Sequence, residues 1–459
     1  MKARAFLPHG TMLTGLVLIA GFSVTLAVDL PGHLSYDSIL QLQQGRTGVY
    51  NTWHPPVMAW LLGIADDLVP GAALFVLFEA ALCFGTFLSL LVFARHKPYW
   101  PSVGVAIACT LSPQLLLYQG LIWKDVLFAD AAVAGFVCLA HVARVWPRRE
   151  MRMALIAVAF SLLCLAALTR QNGLLLLPLG AMALGWIASR RSGVLRTGFV
   201  FCGSALVAAV ALVTGATLAL NTRSNGDSGP REQLTLLQIY DLSGVVAADP
   251  DFSLVHLAED EPGLERLIRH DEAPLYTPVR SDPIASSLPL QAELRIAKHD
   301  AIGADWRALI VEHPRDYMKI RARVFWWVFA TPDIIACRPI FVGVDGPAGA
   351  LKALGMAPRR TATDNALQSY GMSLLNTPAF SHLAFAAIAA LSLVALLRRR
   401  RAEDIAIASM LLAAFAFTAS FFVISIACDY RYLYFLDLSA LVSLFYLSLD
   451  VRSVLKGSP

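Results

Sequence analysis

The chain has 459 residues, of which 57% are hydrophobic and only 15% charged, and its mean hydropathy is +0.60. Soluble globular domains are typically about half apolar and a quarter charged, so this composition excludes an ordinary soluble protein. The net charge is +4, but the basic residues cluster in short loops between apolar runs. The charge pattern therefore gives no support to nucleic-acid binding.

Apolar runs in chain order predict ten membrane spans, since about 20 apolar helical residues cross a bilayer. The first is interpreted as a retained span, because its run is long for a signal peptide and no clear cleavage site follows it. Basic residues collect in alternate loops, so the positive-inside rule places those loops and both termini in the cytoplasm. The predicted spans lie near 11–28, 70–93, 100–118, 126–143, 153–169, 173–189, 197–220, 378–397, 404–427 and 432–449.

Three regions lie outside this simple pattern. The first outer loop, 29–69, holds a short helix near 35–45 with Ser35 as its cap, and an interfacial helix at 54–68. The apolar segment 324–345 is interrupted by Pro, Asp and Arg residues, so we expect it to be bent and to lie on the membrane surface. It belongs to a small, mainly helical outer domain.

The fold class is thus an all-α polytopic membrane protein with about ten transmembrane helices and membrane-lying helices in the first outer loop. The predicted division is an N-terminal transmembrane module, an extracytoplasmic domain and a C-terminal transmembrane module. These cover 1–220, 221–376 and 377–459.

Four loops predicted on the outer side carry short polar segments between apolar runs. Ionisable groups near a membrane are costly, and a plain turn needs none of them. We therefore expect these loops to surround one site of carboxylates and cations. The candidate residues are Asp29, Asp37 and His54; Lys124 and Asp125; Arg170 and Gln171; and Arg431 and Tyr432.

Each of these features also has a structural explanation. The segment 35–45 is also typical of a solvated amphipathic connector, and His54 of an interfacial residue packed beside Trp53. Lys124 and Arg431 each have an aspartate close in sequence, so both are also consistent with interfacial anchors held in a local ion pair.

The order of the motifs resembles the GT-C class of integral-membrane glycosyltransferases, such as protein mannosyltransferases and the aminoarabinose transferase of lipid A. An acidic residue after the first span, WHPP at 53–56, WKD at 123–125 and YRYLY at 430–434 carry this resemblance. It implies transfer of a sugar from a polyprenyl-phosphate donor to a lipid, glycan or protein acceptor. The class places its catalytic carboxylate in the first outer loop, which implies Asp37 or Asp29.

General chemistry suits these roles. A partly desolvated aspartate is expected to have a raised pKa and to act as base, with Asp37 preferred and Asp29 and Asp125 in support. Arg431 suits a phosphate because its guanidinium binds two oxygens at once, and His54, Lys124, Arg170, Gln171 and Tyr432 complete the substrate-binding set. The cofactor is left unknown: a divalent metal on the three aspartates is possible, but no spacing requires one.

Two questions stay open at this level. A lipid or glycan transporter or flippase is the chief alternative function, although the interiors of the spans hold few charged residues, Glu79 and Asp130 among them. Cys337 and Cys428 are the cysteines outside the apolar runs, and they form a disulfide or remain two free thiols. The predicted location is the bacterial inner membrane, in contact with membrane lipids and with the site on the outer face.

Overall fold

The structure is a computed structural model that describes residues 9–51, 53–95, 100–224, 229–297 and 299–451. These residues form α-helices, short 3-10 turns and one π-helical turn, and isolated bridges are the only β-type pairings among them. The α-helices are α1 His9–Asp29, α2 Tyr36–Thr47, α3 Val57–Leu68, α4 Ala73–Leu90, α5 Trp100–Thr110, α6 Pro113–Leu116, α7 Lys124–Arg144, α8 Arg149–Thr169, α9 Leu176–Ser192, α10 Leu195–Asn221, α11 Gly229–Ala248, α12 Val255–Asp260, α13 Pro262–Leu267, α14 Asp282–Ala285, α15 Leu288–Leu294, α16 His299–Val311, α17 Pro314–Ala330, α18 Ala348–Ala353, α19 Ala362–Leu374, α20 His382–Arg399, α21 Ala402–Ile424 and α22 Tyr434–Ser448.

Eight helices in the described part of the chain are long and apolar enough to cross a membrane, and a bent pair raises the number to nine. The bent pair is the predicted span 100–118, which breaks by 56° between Trp100–Thr110 and Pro113–Gly120. Pro113 stands at the break, where its ring prevents the first helix from continuing. The predicted tenth span is α22, which has only 15 residues. The prediction of an all-α polytopic membrane protein is confirmed.

The chain forms two compact units. The first contains the described residues of 1–225, 340–417 and 431–459, and the second those of 226–339 and 418–430. This division by contacts is distinct from the predicted division by membrane side, which stays a prediction. In the first unit α7 lies at the centre, packed against α4, α8, α9 and α22. Its side chains are therefore buried on nearly every face.

The two helices predicted in the first outer loop are present as α2 and α3, and they cross at a pair of glycines. A Cβ on Gly45 would lie 2.5 Å from the carbonyl oxygen of Ala59, and one on Gly63 would lie 2.7 Å from the carbonyl oxygen of Gly45. The backbones thus touch directly. Arg46 fixes the crossing with two hydrogen bonds to Asp66, of 2.6 Å and 2.8 Å.

Short bridges attach this loop to two other segments of the first unit. His33 pairs with Leu121 and Leu34 with Val344, both in parallel. The backbone N–H of His33 donates to Gly120 at 2.8 Å, and that of Leu34 donates to Gly343 at 2.9 Å. Ile39 and Leu42 of α2 then pack into a buried apolar cluster with residues of α3, α4 and α7. The start of α2 is therefore held from several sides.

The second unit has its own core, built from α11 to α17. Arg321 of α17 and Asp241 of α11 form an ion pair whose side chains are fully buried. Cys337 and Cys428 form a disulfide, so the open question about these two thiols is settled as a bond. The stretch 324–345 begins in α17 and leaves helical geometry at Thr331, whose φ is 43°. Its predicted position on the membrane stays a prediction.

Candidate functional site

Asp37 stands in the first turn of α2, where the exposed N–H groups of a helix favour a negative charge. Ser35 is the N-cap residue of this helix, as predicted. The Trp123 indole N–H donates to the Ser35 hydroxyl at 2.8 Å, and the Ser38 hydroxyl donates to the Ile122 carbonyl at 2.6 Å. These contacts place Asp37 beside the start of α7.

The carboxylate of Asp37 meets one residue from another predicted outer loop, Arg431, and one from its own loop, His54. Arg431 donates from Nη2 to Asp37 Oδ2 at 2.9 Å. His54 Nε2 lies 3.8 Å from Asp37 Oδ1. Asp37 keeps 30% of its side chain exposed, against 14% for Arg431. The carboxylate is therefore the accessible member of this pair.

His54 lies between Asp37 and Lys124, and its tautomer follows from the chemistry of its neighbours. Lys124 Nζ is 2.8 Å from His54 Nδ1, and an ammonium group can only donate. Nδ1 must therefore accept, which leaves the proton of a neutral ring on Nε2, the atom that faces Asp37. Burial and the positive charge of Lys124 lower the pKa of His54 to about 4, so the ring is neutral at neutral pH.

Asp125 occupies the other side of Arg431. It lies in the first turn of α7 and is only 2% exposed. Arg170, at the C-terminal end of α8, forms an ion pair with its Oδ1. Arg431 Nε lies 3.7 Å from its Oδ2. Asp125 is thus shared by two arginines, which suits a residue that orients cations.

Aromatic rings lie against both guanidinium groups. Arg431 lies over the Trp123 ring at 4.8 Å, and Arg170 lies near Tyr432 at 5.3 Å and Phe417 at 5.7 Å. Rings restrict the orientation of a guanidinium plane and add cation–π attraction. The aromatic rings therefore restrain the flat faces of the two guanidinium groups, while hydrogen bonds restrain their N–H edges.

The cluster carries a net positive charge. Lys124, Arg170 and Arg431 are cations, Asp37 and Asp125 are anions, and His54 is neutral. The expectation of a raised pKa for Asp37 is wrong. Burial does raise the pKa of this carboxyl, but hydrogen bonding and charge from His54 and Arg431 outweigh burial and hold its pKa well below the usual range.

Asp29 is held elsewhere in the first unit. Its side chain is fully buried, with Oδ1 3.1 Å from His33 Nε2. The backbone N–H of Gly343 donates to His33 Nδ1 at 2.9 Å, so Nε2 carries the ring proton toward Asp29. Gly120 packs directly on the carboxyl group, where an added Cβ would lie 2.4 Å from the Asp29 side chain. Asp29 therefore fastens the end of α1 to the loops around it.

The structure thus unites most of the predicted site residues but not all of them. Asp37, His54, Lys124, Asp125, Arg170, Arg431 and Tyr432 form the connected cluster described above, named the rim cluster from here on. Gln171 is exposed at the start of the 3-10 turn that follows Arg170. In the described ranges, no group of three or more His, Cys, Asp or Glu side chains is placed to hold a metal ion.

Sequence reasoning missed two contributors. The first is Trp123 of the WKD motif, which donates to Ser35, the N-cap residue of α2, and whose ring lies against Arg431. An aromatic residue directly before a Lys-Asp pair at a helix start was the available signal. The second is His33, which lies four residues after Asp29 and forms a hydrogen bond with it.

Comparisons with known proteins add the following. No family model matches the chain, and no curated protein matches it. Three solved structures of the oligosaccharyltransferase AglB from Archaeoglobus fulgidus are similar to 96% of it. One is in complex with an inhibitory peptide and a dolichol-phosphate (TM-score 0.43, 15% identity), one with Zn and sulfate (0.44, 13%), and one is the apo form (0.44, 16%).

This chain spans about half of the length of these neighbours, covering 50–51% of each. AglB is a GT-C glycosyltransferase, the class that the sequence motifs resemble. With TM-scores below 0.5 and identities below 25%, however, the structural likeness by itself carries no argument about the activity of this chain.

Proposed function

We propose that this integral membrane protein transfers a sugar from a polyprenyl-phosphate donor to an acceptor, with the rim cluster as its active site. The observation that carries the proposal is the meeting of four separate loops in one connected set of charges. Lys124, His54, Asp37, Arg431, Asp125 and Arg170 follow one another in space, each in contact with the next. Anchors that served each loop alone would have no need to meet.

Arg431 binds the donor phosphate in this proposal. Its guanidinium is oriented by Trp123 and Asp125, and its Nη2 bond is made to the more exposed carboxylate, Asp37. A phosphodiester carries one negative charge, which matches the single net positive charge of the rim cluster. As the donor splits, negative charge grows on the leaving phosphate, and fixed cations stabilise that change.

Asp37 orients the acceptor hydroxyl and takes up its proton. It is the exposed carboxylate of the rim cluster, whereas Asp125 is buried between two arginines. The Nε2–H of His54 faces Asp37 and helps to fix the direction of its lone pairs. Asp29 is too deeply buried for this role, so the choice left open by the sequence falls on Asp37.

The side of the membrane follows from the charge asymmetry of the loops. We propose that the rim cluster faces the outside of a bacterial inner membrane, with both termini in the cytoplasm. The acceptor is then a lipid, glycan or protein met on that face. No nucleic acid enters the proposal.

The test is transfer by purified protein in lipid nanodiscs, supplied with a panel of polyprenyl-phosphate sugars and with lipid, glycan and peptide acceptors. A peptide belongs in the panel because the proposed acceptor is a lipid, a glycan or a protein. Asp37→Asn keeps the shape of the residue and removes its charge, so transfer is expected to fall about a hundredfold or more. Asp67→Asn is the matched control, because Asp67 is an exposed aspartate of the same loop. Full activity in Asp37→Asn would refute the assigned role.

A transporter or flippase remains the alternative because Glu79 and Asp130 are buried within α4 and α7. Both oxygens of Glu79 lack a hydrogen-bond partner, so a leucine there is expected to fold at least as well. Under the proposal, Glu79→Leu leaves transfer intact. Lipid movement across vesicles by wild type that is lost in Glu79→Leu, without transfer by either protein, would favour the alternative.

A further inference from the structure

Asp37 and the donor phosphate both need the same part of Arg431. We propose that they compete for it: the phosphate displaces Asp37 from Arg431, so donor binding itself frees the carboxylate that activates the acceptor. This inference rests on the proposed function and adds an order to it, with the donor bound before the acceptor is activated.

The geometry decides which partner leaves. Arg431 has two carboxylate neighbours, Asp37 at 2.9 Å and Asp125 at 3.7 Å. Asp125 is 2% exposed and is also paired with Arg170, whereas Asp37 is 30% exposed. A phosphate approaching the rim cluster reaches the Asp37 side of the guanidinium first. Asp125 and the Trp123 ring hold Arg431 in place while that exchange occurs.

The exchange changes the chemistry of Asp37. Without donor, contacts with His54 and Arg431 keep its pKa low despite burial, so the carboxylate is ionised but weakly basic. Once Arg431 turns to the phosphate, Asp37 loses a hydrogen bond and part of an opposing charge. Its basicity then rises, which is what proton removal from an acceptor hydroxyl requires.

Because the carboxylate becomes more basic only when the donor is bound, side reactions without donor are limited. The hydrogen bond between Arg431 and Asp37 restrains the carboxylate until the phosphate displaces it. Arg431 thus has two successive roles. It first positions Asp37, and it then binds the phosphate of the donor.

The test is a binding measurement, so it does not depend on turnover. Polyprenyl phosphate is titrated into nanodiscs of zwitterionic lipid that hold wild type, Asp37→Asn, Arg431→Gln or the double variant. Competition predicts that Asp37→Asn binds polyprenyl phosphate about two- to fivefold more tightly, the scale of one partly exposed ion pair. Arg431→Gln binds it more weakly. Asp67→Asn, the exposed control, is expected to match wild type.

The double variant separates competition from general repulsion between anions. If Asp37 acts through Arg431, adding Asp37→Asn to Arg431→Gln gives no further tightening. Tightening that persists in the Arg431→Gln background overturns the inference, as does unchanged or weaker binding by Asp37→Asn. Asp37→Ser replaces Asp37→Asn if the latter does not insert.

Two further arms identify the ligand and keep the two proposals apart. Phosphatidylglycerol or inorganic phosphate that gives the same shifts would mean that any phosphate is bound, and would overturn donor recognition. If Asp37→Asn binds polyprenyl phosphate more tightly but wild type transfers sugar from no donor, competition at Arg431 is supported and the proposed transfer is refuted. If wild type transfers sugar but Asp37→Asn binds polyprenyl phosphate no more tightly, the proposed function is supported and the competition is refuted.

Discussion

Asp125 is the most enclosed carboxylate of the rim cluster, and Asp125→Asn removes the charge that two arginines share. Breaking a buried ion pair from one side typically costs about 3–5 kcal/mol. Arg170 retains 10% exposure and its contacts with Tyr432 and Phe417, so we expect the lower figure, about 3 kcal/mol. Arg431 also loses a neighbour that orients it, and transfer is expected to fall about tenfold or more.

Stability and activity are separated by a second variant. Asp125→Leu with Arg170→Met replaces the pair by apolar groups of similar size, and such replacements are often neutral or stabilising. The free energy of unfolding, measured by reversible denaturation in detergent micelles, is expected to return to within about 1 kcal/mol of wild type. Transfer is expected to stay low, because Arg431 still lacks its carboxylate. A double variant with wild-type transfer would refute the assigned role of Asp125.

Three other outcomes are expected. Transfer stays level from neutral pH until His54 gains a proton near pH 4. Burial is the largest cause of this low pKa and the charge of Lys124 adds to it, so in Lys124→Met the acid fall of a pH–rate profile moves to a higher pH that stays below the ordinary value of about 6.5; an unmoved profile contradicts this. Gly63→Leu forces α2 and α3 apart and lowers the free energy of unfolding by about 1–3 kcal/mol, and unchanged thermal unfolding would show that the crossing is loose. Mass-tagging shows Cys337 and Cys428 only after reduction, whereas tagging without reductant would contradict the bond.

The membrane-spanning fold was largely readable from the sequence because long apolar runs have few alternatives in a bilayer. The two departures have local causes. The span 100–118 is broken where Pro113 interrupts it, and α22 is shorter than its apolar run suggested. Neither feature changes the number of apolar runs, so hydropathy alone could not separate a straight span from a bent one.

The rim cluster was predictable in composition but not in pairing. Asp37, Asp125 and Arg431 stood out as charged residues in short loops between apolar runs, because placing charge near a membrane is energetically costly. Which aspartate reaches the cluster depends on contacts remote in sequence, such as the hydrogen bond of Gly343 to His33 beside Asp29. The low pKa of Asp37 likewise arises from His54 and Arg431, and no sequence pattern near Asp37 indicates Arg431 as a partner.

The separation of Asp37 and Arg431 along the chain has a consequence for biosynthesis. The two residues are 394 positions apart, yet their side chains form one hydrogen bond. The helices α1 to α21 are therefore all synthesised before the second partner exists. A chain that stalls during membrane insertion would carry the carboxylate without its guanidinium. A chain made only as far as α21 thus has no assembled rim cluster with which to bind a lipid phosphate, as the proposed function requires.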